Sequence, residues 1–346
     1  MPSFKTSYNG FSCEFSPFDE ERLAVATASK FGIFGPGRQY VLEVDVEQDT
    51  IEKVVSFDTP DGLYDCAWSE ENENHLVAVS GDGSVYIYDT ASTNNPIQAF
   101  KEHGKEVASV HWNLVNKDTF VTGSWDQSIK LWSVDDDSSL ETYDEHNYCV
   151  YSTQWSPTKG NIFASTSGDL HVKVWDIQDV SSIVSFRAHD HEVLTCDWNK
   201  YDENILVTGA CDNSIRVWDI RNTEQPVTTL KGHNYAVRRV KCSPHDETII
   251  GSCSYDMTLV IWDTEKDDPL LERYEQHTEF VIGFDFNLEN EDQIASTSWD
   301  ETVYVWNRGE EPIATHDEDM DEDDEQHGKK FQSMFGDQLQ GGGQLY

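Results

Sequence analysis

The sequence predicts an all-β fold, a seven-bladed β-propeller, and two repeating patterns support this prediction. In the first pattern, Trp-Asp-like pairs recur seven times at intervals of 43 or 44 residues. Each interval contains four short runs rich in β-branched residues, separated by turn residues. One four-stranded sheet of this size cannot bury both of its faces, so we expect the repeats to stack radially. The pairs are Val44-Asp45, Tyr88-Asp89, Trp132-Ser133, Trp175-Asp176, Trp218-Asp219, Trp262-Asp263 and Trp306-Asn307.

The second pattern places His, Ser, Asp and Trp at fixed positions with the same period. In five repeats a His lies 29 residues before the Trp and an Asp lies six before it, and four of these repeats have a Ser eight before it. This register is similar to that of the WD40 family of propellers. The members are His103, Ser124, Asp126, Trp132; His146, Ser167, Asp169, Trp175; His189, Asp212, Trp218; His233, Ser254, Asp256, Trp262; and His277, Ser298, Asp300, Trp306.

The WD40 register implies a structural hydrogen-bond relay within each blade. The turn Asp orients the His, and the Ser links the His to the indole N–H of the Trp, each bond contributing about 1 kcal/mol. Five copies at one register indicate a scaffold rather than a catalytic triad, so we expect no enzymatic activity. The fifth repeat has Ala210 in place of the Ser, and the first lacks all four members. We expect these two blades to be held mainly by packing.

The repeats define one propeller domain over residues 1–309, with blades ending near residues 57, 100, 143, 186, 230 and 274. Two segments are candidates for the outer strand of the seventh blade: Pro312–Thr315, which ends near 315, or residues 3–6 at the N-terminus. We favour the N-terminal strand, since pairing the two chain ends removes an open sheet edge. Residues 310–346 form an acidic, Gln/Gly-rich tail, which we expect to be disordered.

Composition and charge narrow the classes of function. The 65 acidic and 24 basic residues give a formal net charge of −41, which repels nucleic acid and favours cationic partners. The mean hydropathy of −0.60 argues against membrane insertion, and the N-terminus lacks the pattern of a secretory signal, so we expect a cytoplasmic protein. The seven cysteines and the remaining histidines are scattered, so we expect no disulfide framework, no metal site and no cofactor.

The repeat register leaves a short set of residues unexplained on one rim of the propeller. Trp125, Tyr255 and Trp299 directly precede the turn Asp of their blades, which places them on the rim rather than in the core. The residues on either side of the buried aliphatic that follows each His position are expected to face the channel mouth. Arg238 and Arg239 could neutralise part of this rim. The candidate binding residues are Asp61, Glu106, Trp125, Tyr148, Cys149, Tyr151, Glu192, Arg238, Tyr255 and Trp299.

The candidate residues combine negative charge with aromatic and aliphatic surface. Asp61, Glu106 and Glu192 suit the cation of an amphipathic helix, and the aromatic residues with Cys149 suit its apolar face or a second protein. The alternative is a solvated charged rim whose aromatic residues only shield the turns. A Glu106→Lys substitution is expected to weaken peptide binding without disturbing the fold.

Several segments carry a more specific resemblance, which runs from about Pro2 to Arg308. They include the atypical first repeat and the missing Ser of the fifth. The segments are Tyr8–Phe11, Phe15–Phe18, Arg22–Ala26, Phe31–Ile33, Asp61–Asp65, Cys196–Tyr201, Tyr235–Lys241, Ser252–Asp256 and His277–Phe280. They closely resemble the receptors of the type-2 peroxisomal targeting signal.

The resemblance implies a receptor that binds cargo enzymes in the cytosol and cycles to the peroxisome with a co-receptor and the peroxisomal docking machinery. The signal it implies begins with Arg or Lys plus an aliphatic residue and ends seven residues later with His or Gln plus Leu or Ala. About two helical turns separate these anchors, so they lie on one face of a helix. The acidic tail is not part of the family pattern. The alternative is another WD40 adaptor for basic peptides, such as a ubiquitin-ligase substrate receptor or a histone-tail binder.

Overall fold

The computed structural model describes residues 1–45, 48–92 and 95–309. Over these ranges the strands form seven four-stranded antiparallel sheets, which confirms the predicted seven-bladed β-propeller. The tail over residues 310–346, including the alternative closing strand Pro312–Thr315, lies outside the described residues.

The strands follow one another blade by blade along the chain, except that the first strand belongs to the last blade. The first strand is β1 (Ser3–Lys5). Blade one contains β2 (Asn9–Phe15), β3 (Arg22–Ala28), β4 (Gly37–Asp45) and β5 (Thr50–Thr59). Blade two contains β6 (Leu63–Trp68), β7 (His75–Ser80), β8 (Val85–Asp89) and β9 (Gln98–Phe100). Blade three contains β10 (Val107–Trp112), β11 (Thr119–Ser124), β12 (Ile129–Ser133) and β13 (Glu141–Tyr143).

The other four blades repeat this arrangement. Blade four contains β14 (Val150–Trp155), β15 (Ile162–Ser167), β16 (His171–Asp176) and β17 (Ser182–Arg187). Blade five contains β18 (Val193–Trp198), β19 (Ile205–Ala210), β20 (Ser214–Asp219) and β21 (Thr228–Lys231). Blade six contains β22 (Val237–Cys242), β23 (Ile249–Ser254), β24 (Leu259–Asp263) and β25 (Leu270–Tyr274). Blade seven contains β26 (Val281–Phe286), β27 (Gln293–Ser298) and β28 (Thr302–Asn307), and its fourth strand is β1.

The first strands of the seven blades contact one another in a closed cycle around a central channel. The cycle closes where β2 of blade one contacts β26 of blade seven. The outer strand of blade seven is β1, in which Phe4 pairs with Val303 of β28. The Phe4 ring also lies 5.8 Å from Tyr40 of blade one. The N-terminal strand therefore covers the edge of the last sheet and joins it to the first blade.

A His–Asp–Trp relay occurs in blades three to seven, but it uses a different hydroxyl from the one assigned by sequence. In blade three, His103 Nδ1 lies 2.9 Å from Asp126 Oδ2, and His103 Nε2 lies 2.8 Å from Thr122 Oγ1. Thr122 Oγ1 also accepts the indole N–H of Trp132 at 2.8 Å. The corresponding hydroxyls in the next four blades are those of Ser165, Thr208, Ser252 and Ser296.

The serine that the register assigned to the relay instead bonds to the turn. The prediction that these serines belong to the relay is therefore wrong for Ser124, Ser167, Ser254 and Ser298. Ser124 donates to the carbonyl of Glu106 at 2.8 Å and accepts the N–H of Asp126 at 3.1 Å. Ser124 ends β11 beside the turn, whereas Trp132 pairs with Phe120 further along the strand. The hydroxyl that reaches the indole must therefore come from a residue nearer to Phe120.

Blade five has a complete relay, so the expectation that packing mainly holds this blade is wrong. His189 Nδ1 lies 3.0 Å from Asp212, and His189 Nε2 lies 2.7 Å from Thr208 Oγ1. The same oxygen accepts the indole N–H of Trp218 at 3.0 Å. Ala210 replaces only the serine that ties the turn, so the relay does not depend on it.

Candidate functional site

A β-bulge interrupts the first strand of every blade at the same position. In blade three, Val107 pairs with Ser124 and Ser109 pairs with Gly123, which leaves Ala108 without a partner in the ladder. A bulge of this kind redirects a side chain and is common beside binding sites. The seven bulged residues are Phe11, Tyr64, Ala108, Tyr151, Leu194, Arg238 and Ile282.

The bulged residues surround one end of the channel. Tyr151, Leu194 and Arg238 line a single cavity together with Asp65, which comes from the distant blade two. Next to the ring of bulged residues, a backbone hydrogen bond holds the residue before each turn Asp. In blade three the Trp125 N–H donates to the carbonyl of Glu106 at 2.9 Å. We call this end of the channel the mouth. It consists of the bulged residues, the residue before each turn Asp, and the residues whose carbonyls accept the N–H groups of the latter.

Aromatic rings form a connected arc around the mouth, in which each ring centroid lies within 6.4 Å of at least one other. The closest steps are 5.0 Å from Tyr255 to Phe280 and 5.2 Å from Phe11 to Tyr64. Offset and edge contacts at these distances stabilise ring pairs and fix their orientation. The aromatic arc consists of Tyr255, Phe280, Trp299, Phe31, Phe11, Tyr64, Trp125 and Tyr151.

Two of the three predicted rim aromatics are more buried than their position suggested. Trp299 is 3% exposed and Tyr255 is 9% exposed, whereas Trp125 is half-buried. Phe31, Phe11 and Phe280 cover Trp299, with ring centroids 5.3 to 5.7 Å away. Trp299 and Tyr255 therefore form the buried base of the apolar surface together with Phe11 and Phe280. The half-buried rings present this surface to solvent; they are Phe31, Tyr64, Trp125 and Tyr151.

Glycine occupies the turn position where a tyrosine needs room. A Cβ atom on Gly168 would lie 2.3 Å from Cδ1 of Tyr148 and 3.3 Å from Cε2 of Tyr151. Both tyrosines therefore lie directly over the blade-four turn. The residue of the adjacent blade three that corresponds to Gly168 is Trp125. Blade three has the opposite arrangement, with the small Ala108 at the bulge and the large Trp125 before the turn Asp.

Two of the predicted acids, Asp61 and Glu106, lie on either side of Tyr64. Burial raises the pKa of the Tyr64 hydroxyl, and the carboxylates of Glu106 and Asp61 raise it further. Both acids are half-buried, and neither forms an ion pair with a residue in the described ranges. Their negative charge is therefore available to a ligand at the mouth.

The third acid, Glu192, lies in a group with three other predicted residues. Tyr151 Oη donates to Glu192 Oε2 at 2.9 Å, and burial raises the pKa of the Glu192 carboxyl. Burial is also the main cause that raises the pKa of Cys149 to about 11, and both Glu192 and Glu106 contribute. The structure therefore brings Tyr148, Cys149 and Tyr151 together between two carboxylates.

The two arginines of blade six do not act together at the rim. Arg238 lies close enough to Tyr255 to oppose the effect of burial, which raises the pKa of Tyr255 to about 12. Arg239 Nη2 instead bonds to Asp65 Oδ1 at 2.9 Å, across the channel in blade two. Arg239 follows the bulge and rejoins the ladder opposite Cys253, so its side chain lies deeper in the channel. It therefore bridges the channel below the mouth rather than neutralising the rim acids.

Sequence reasoning missed the contribution of blade one, where Phe11 and Phe31 belong to the aromatic arc. Blade one lacks the His and Asp that mark the register in other blades. A usable signal was the Ser-Pro after Phe15, which matches the Ser-Pro after Trp155 and Cys242. Counting four residues back from Trp155 gives Tyr151, and the same count from Phe15 gives Phe11.

Across residues 1–45, 48–92 and 95–309, no group of three His, Cys, Asp or Glu residues is placed to hold a metal ion. In the same ranges no helix has the length and hydropathy needed to span a bilayer.

Comparison with known proteins identifies repeats and relatives. The model of the WD domain, G-beta repeat, matches five segments that together make up more than half of the chain. They are residues 94–133, 137–176, 180–219, 224–263 and 269–307.

Three relatives match a shorter part of the chain. The peroxisomal targeting signal 2 receptor of Dictyostelium discoideum is 59% identical over 135 residues, which are 38% of this chain and 42% of that protein. Peroxisome biogenesis protein 7 of Arabidopsis thaliana is 51% identical over 142 residues, 40% of this chain and 45% of that protein. The peroxisomal targeting signal 2 receptor of Homo sapiens is 47% identical over 125 residues, 36% and 38% respectively. The matches thus span less than half the length of these relatives.

Proposed function

We propose, from the premise that this chain belongs to the WD40 family of G-beta repeat propellers, that it is a receptor for the type-2 peroxisomal targeting signal. It binds the N-terminal signal of cargo enzymes at the mouth and catalyses no reaction. The relatives named as receptors of this signal support the proposal. The observation that carries it is a pair of carboxylates, Asp61 and Glu106, beside the aromatic arc. Neither has an ion-pair partner among the described residues.

The mouth suits a short helix that carries both positive charge and aliphatic side chains. Asp61, Glu106 and Glu192 attract the cation, and the half-buried rings of Tyr64 and Trp125 provide apolar surface beside them. Aromatic residues at the centre of a contact surface contribute most of the binding energy in many interfaces. Charged groups at its edge mainly set specificity and association rate.

The proposal also covers the setting in which the receptor works. It binds cargo in the cytoplasm, acts with a co-receptor that contacts the same end of the channel, and cycles to the docking machinery of the peroxisome. The resemblance to receptors of this class supports these steps. Tyr148 and Cys149 lie at the mouth and are candidates for contact with the signal or the co-receptor.

Binding of a labelled signal peptide, followed by fluorescence anisotropy, tests the proposal. Glu106→Gln removes one negative charge from the mouth and is expected to weaken binding about tenfold, or about 1.4 kcal/mol. Glu106→Lys is expected to weaken it further, because it reverses the charge. Glu289→Gln is the matched control, since Glu289 is an exposed acid between β26 and β27, at the other end of the strands.

Two results would count against the proposal. Equal affinity of the Glu106 variants and the wild type would remove Glu106 from the site. If the wild type failed to bind the signal peptide but bound an unrelated basic peptide such as a histone tail, the alternative adaptor function would replace the receptor function.

A further inference from the structure

The loop between β3 and β4 of blade one breaks the sevenfold pattern of the mouth. The equivalent turns of the other six blades contain three or four residues, whereas this loop contains the eight residues 29–36. It begins with a 3-10 turn over Ser29–Gly32. Blade one therefore adds a longer segment of chain at this side of the mouth.

Two hydrogen bonds tie this loop to the mouth. The backbone N–H of Phe31 donates to Asn9 Oδ1 at 2.8 Å, and Tyr64 Oη donates to the carbonyl of Gly32 at 2.6 Å. A Cβ atom on Gly32 would lie 2.7 Å from Cζ of Phe11 and 3.0 Å from Cε1 of Tyr64. The loop therefore passes directly over two rings of the aromatic arc.

The backbone of the loop is strained where it crosses these rings. Lys30 has φ 48° and ψ 46°, and Phe31 has φ 58° and ψ 27°. This left-handed conformation costs a non-glycine residue roughly 1–2 kcal/mol. Strain of this kind persists only where the surrounding contacts hold it, and it is concentrated at functional sites.

Two large apolar side chains project from the held loop into solvent. Ile33 is 62% exposed and Phe34 is 57% exposed, next to an arc whose Trp299 is 3% exposed. The Nζ of Lys30 lies 4.0 Å from the ring centroid of Phe34 and forms a cation–π interaction with that ring. Two neighbouring exposed apolar side chains on a loop held beside the mouth offer apolar surface to a ligand bound there. We call Ile33 and Phe34 the apolar wall.

We infer that the apolar wall binds the aliphatic side of the signal helix and so sets the orientation of that helix in the mouth. The inference rests on the proposed function. In a ring of seven blades, blade one lies opposite blades four and five, and Glu192 extends from blade five. A helix across the mouth therefore has the apolar wall on one side and Glu192 on the other, while Asp61 and Glu106 flank Tyr64, to which the loop of the wall is bonded.

Charge complementarity selects one orientation of the helix. The anchors at the two ends of the signal share one face of the helix, but consecutive residues are separated by about 100°, so a cationic residue and the aliphatic residue beside it lie toward opposite edges of that face. The cation faces Glu106 and Glu192, and the aliphatic residue faces Ile33 and Phe34. The reverse orientation would place the aliphatic residue against the carboxylate of Glu192 and the cation near Lys30, which opposes the attraction of Asp61.

Anisotropy with the full chain and a labelled type-2 signal peptide tests this orientation. Ile33→Ser and Phe34→Ser are each expected to weaken binding about fivefold to tenfold. Ile97→Ser is the matched control, because Ile97 is an aliphatic residue of 53% exposure just before β9 of blade two. The control is expected to bind as the wild type does, and thermal unfolding checks that all three variants are folded.

A double-mutant cycle with altered peptides distinguishes the two sides of the helix. Replacing the first aliphatic residue of the signal, a Leu in the test peptide, by Ala should lose most of its effect in Phe34→Ser and keep its full effect in Glu106→Gln. Replacing the signal Arg by Gln should show the opposite pattern.

The inference is overturned if both wall variants bind with wild-type affinity, or if Phe34 couples to the Arg rather than to the Leu. Failure of the wild type to bind the peptide would overturn the proposed function as well. Normal wild-type binding with unaffected wall variants would overturn the inference alone.

Discussion

At the scale of single residues, two serines on β15 have different roles, one in the relay and one in the turn. Ser165 accepts the indole N–H of Trp175 at 2.9 Å and lies 2.7 Å from His146 Nε2. Ser167, two residues later, donates to the carbonyl of Tyr148 and accepts the N–H of Asp169, both at 3.1 Å. Both serines are fully buried, so the same substitution compares the two roles directly.

Ser165→Ala is expected to lower the free energy of unfolding by about 1–3 kcal/mol, because it leaves a buried indole N–H without an acceptor. Ser167→Ala is expected to cost less, since blade five has Ala210 at that position and keeps its relay. Urea unfolding followed by tryptophan fluorescence measures both values. An equal or larger cost for Ser167→Ala would contradict the assignment of the relay hydroxyl.

The sequence could locate the His, Asp and Trp of the relay but not its hydroxyl. Positions i and i+2 of a strand share a face, and in blades four, six and seven both carry Ser. Only the pairing of the strands decides which one reaches the indole. The sequence did place Glu106, Glu192 and Tyr151 at the mouth, because the register of the His positions marks those residues.

At the scale of secondary-structure elements, β1 closes the ring by covering β28. Its removal would expose the backbone of Thr302–Asn307 as an open edge, which favours pairing between molecules. It would also remove the contact of Phe4 with Tyr40 between blades seven and one. The stability of the whole propeller thus depends on a strand of three residues.

Deletion of residues 1–6 is expected to lower the free energy of unfolding by about 2–4 kcal/mol, from lost hydrogen bonds and apolar burial. It should also produce concentration-dependent association. Urea unfolding and light scattering measure the two effects. A Ser3→Ala variant should retain wild-type behaviour, since this side chain is exposed and the backbone pairing of β1 is kept. Deletion of residues 310–346 should not destabilise the propeller; if only that deletion did so, closure by β1 would be contradicted.

The bulges explain why the sequence predicted part of the mouth and missed the rest. Strict alternation along a strand assigns each residue to one of two faces, but a bulge redirects one residue out of this alternation. In blades three to seven the His register marked the position that is bulged in the structure, and the candidate residues Tyr151 and Arg238 occupy it. Blade one has a bulge at Phe11 but no His to mark it, so Phe11 and the loop that covers it were not identified.

At the scale of the whole molecule, negative charge extends far beyond the three acids of the mouth. The chain has a formal charge of −41, and residues 310–346 hold eleven of its acids and two of its lysines. Residues 1–309 therefore still carry −32. Such a field raises the rate at which a cationic peptide encounters the surface, whereas short-range contacts with Phe34 and Glu106 govern how long it stays.

The association rate constant of the signal peptide is therefore expected to fall about tenfold between 50 and 500 mM salt, because screening shortens the range of the field from about 14 Å to about 4 Å. The dissociation rate constant should change less with salt and should rise in Phe34→Ser. Stopped-flow anisotropy measures both constants.

A peptide whose Arg is replaced by Gln should show a smaller salt dependence of association. A chain ending at Gly309 should keep most of the wild-type dependence, because it retains most of the charge. An association rate that is independent of salt would show that the charge of the propeller does not guide the peptide to the mouth.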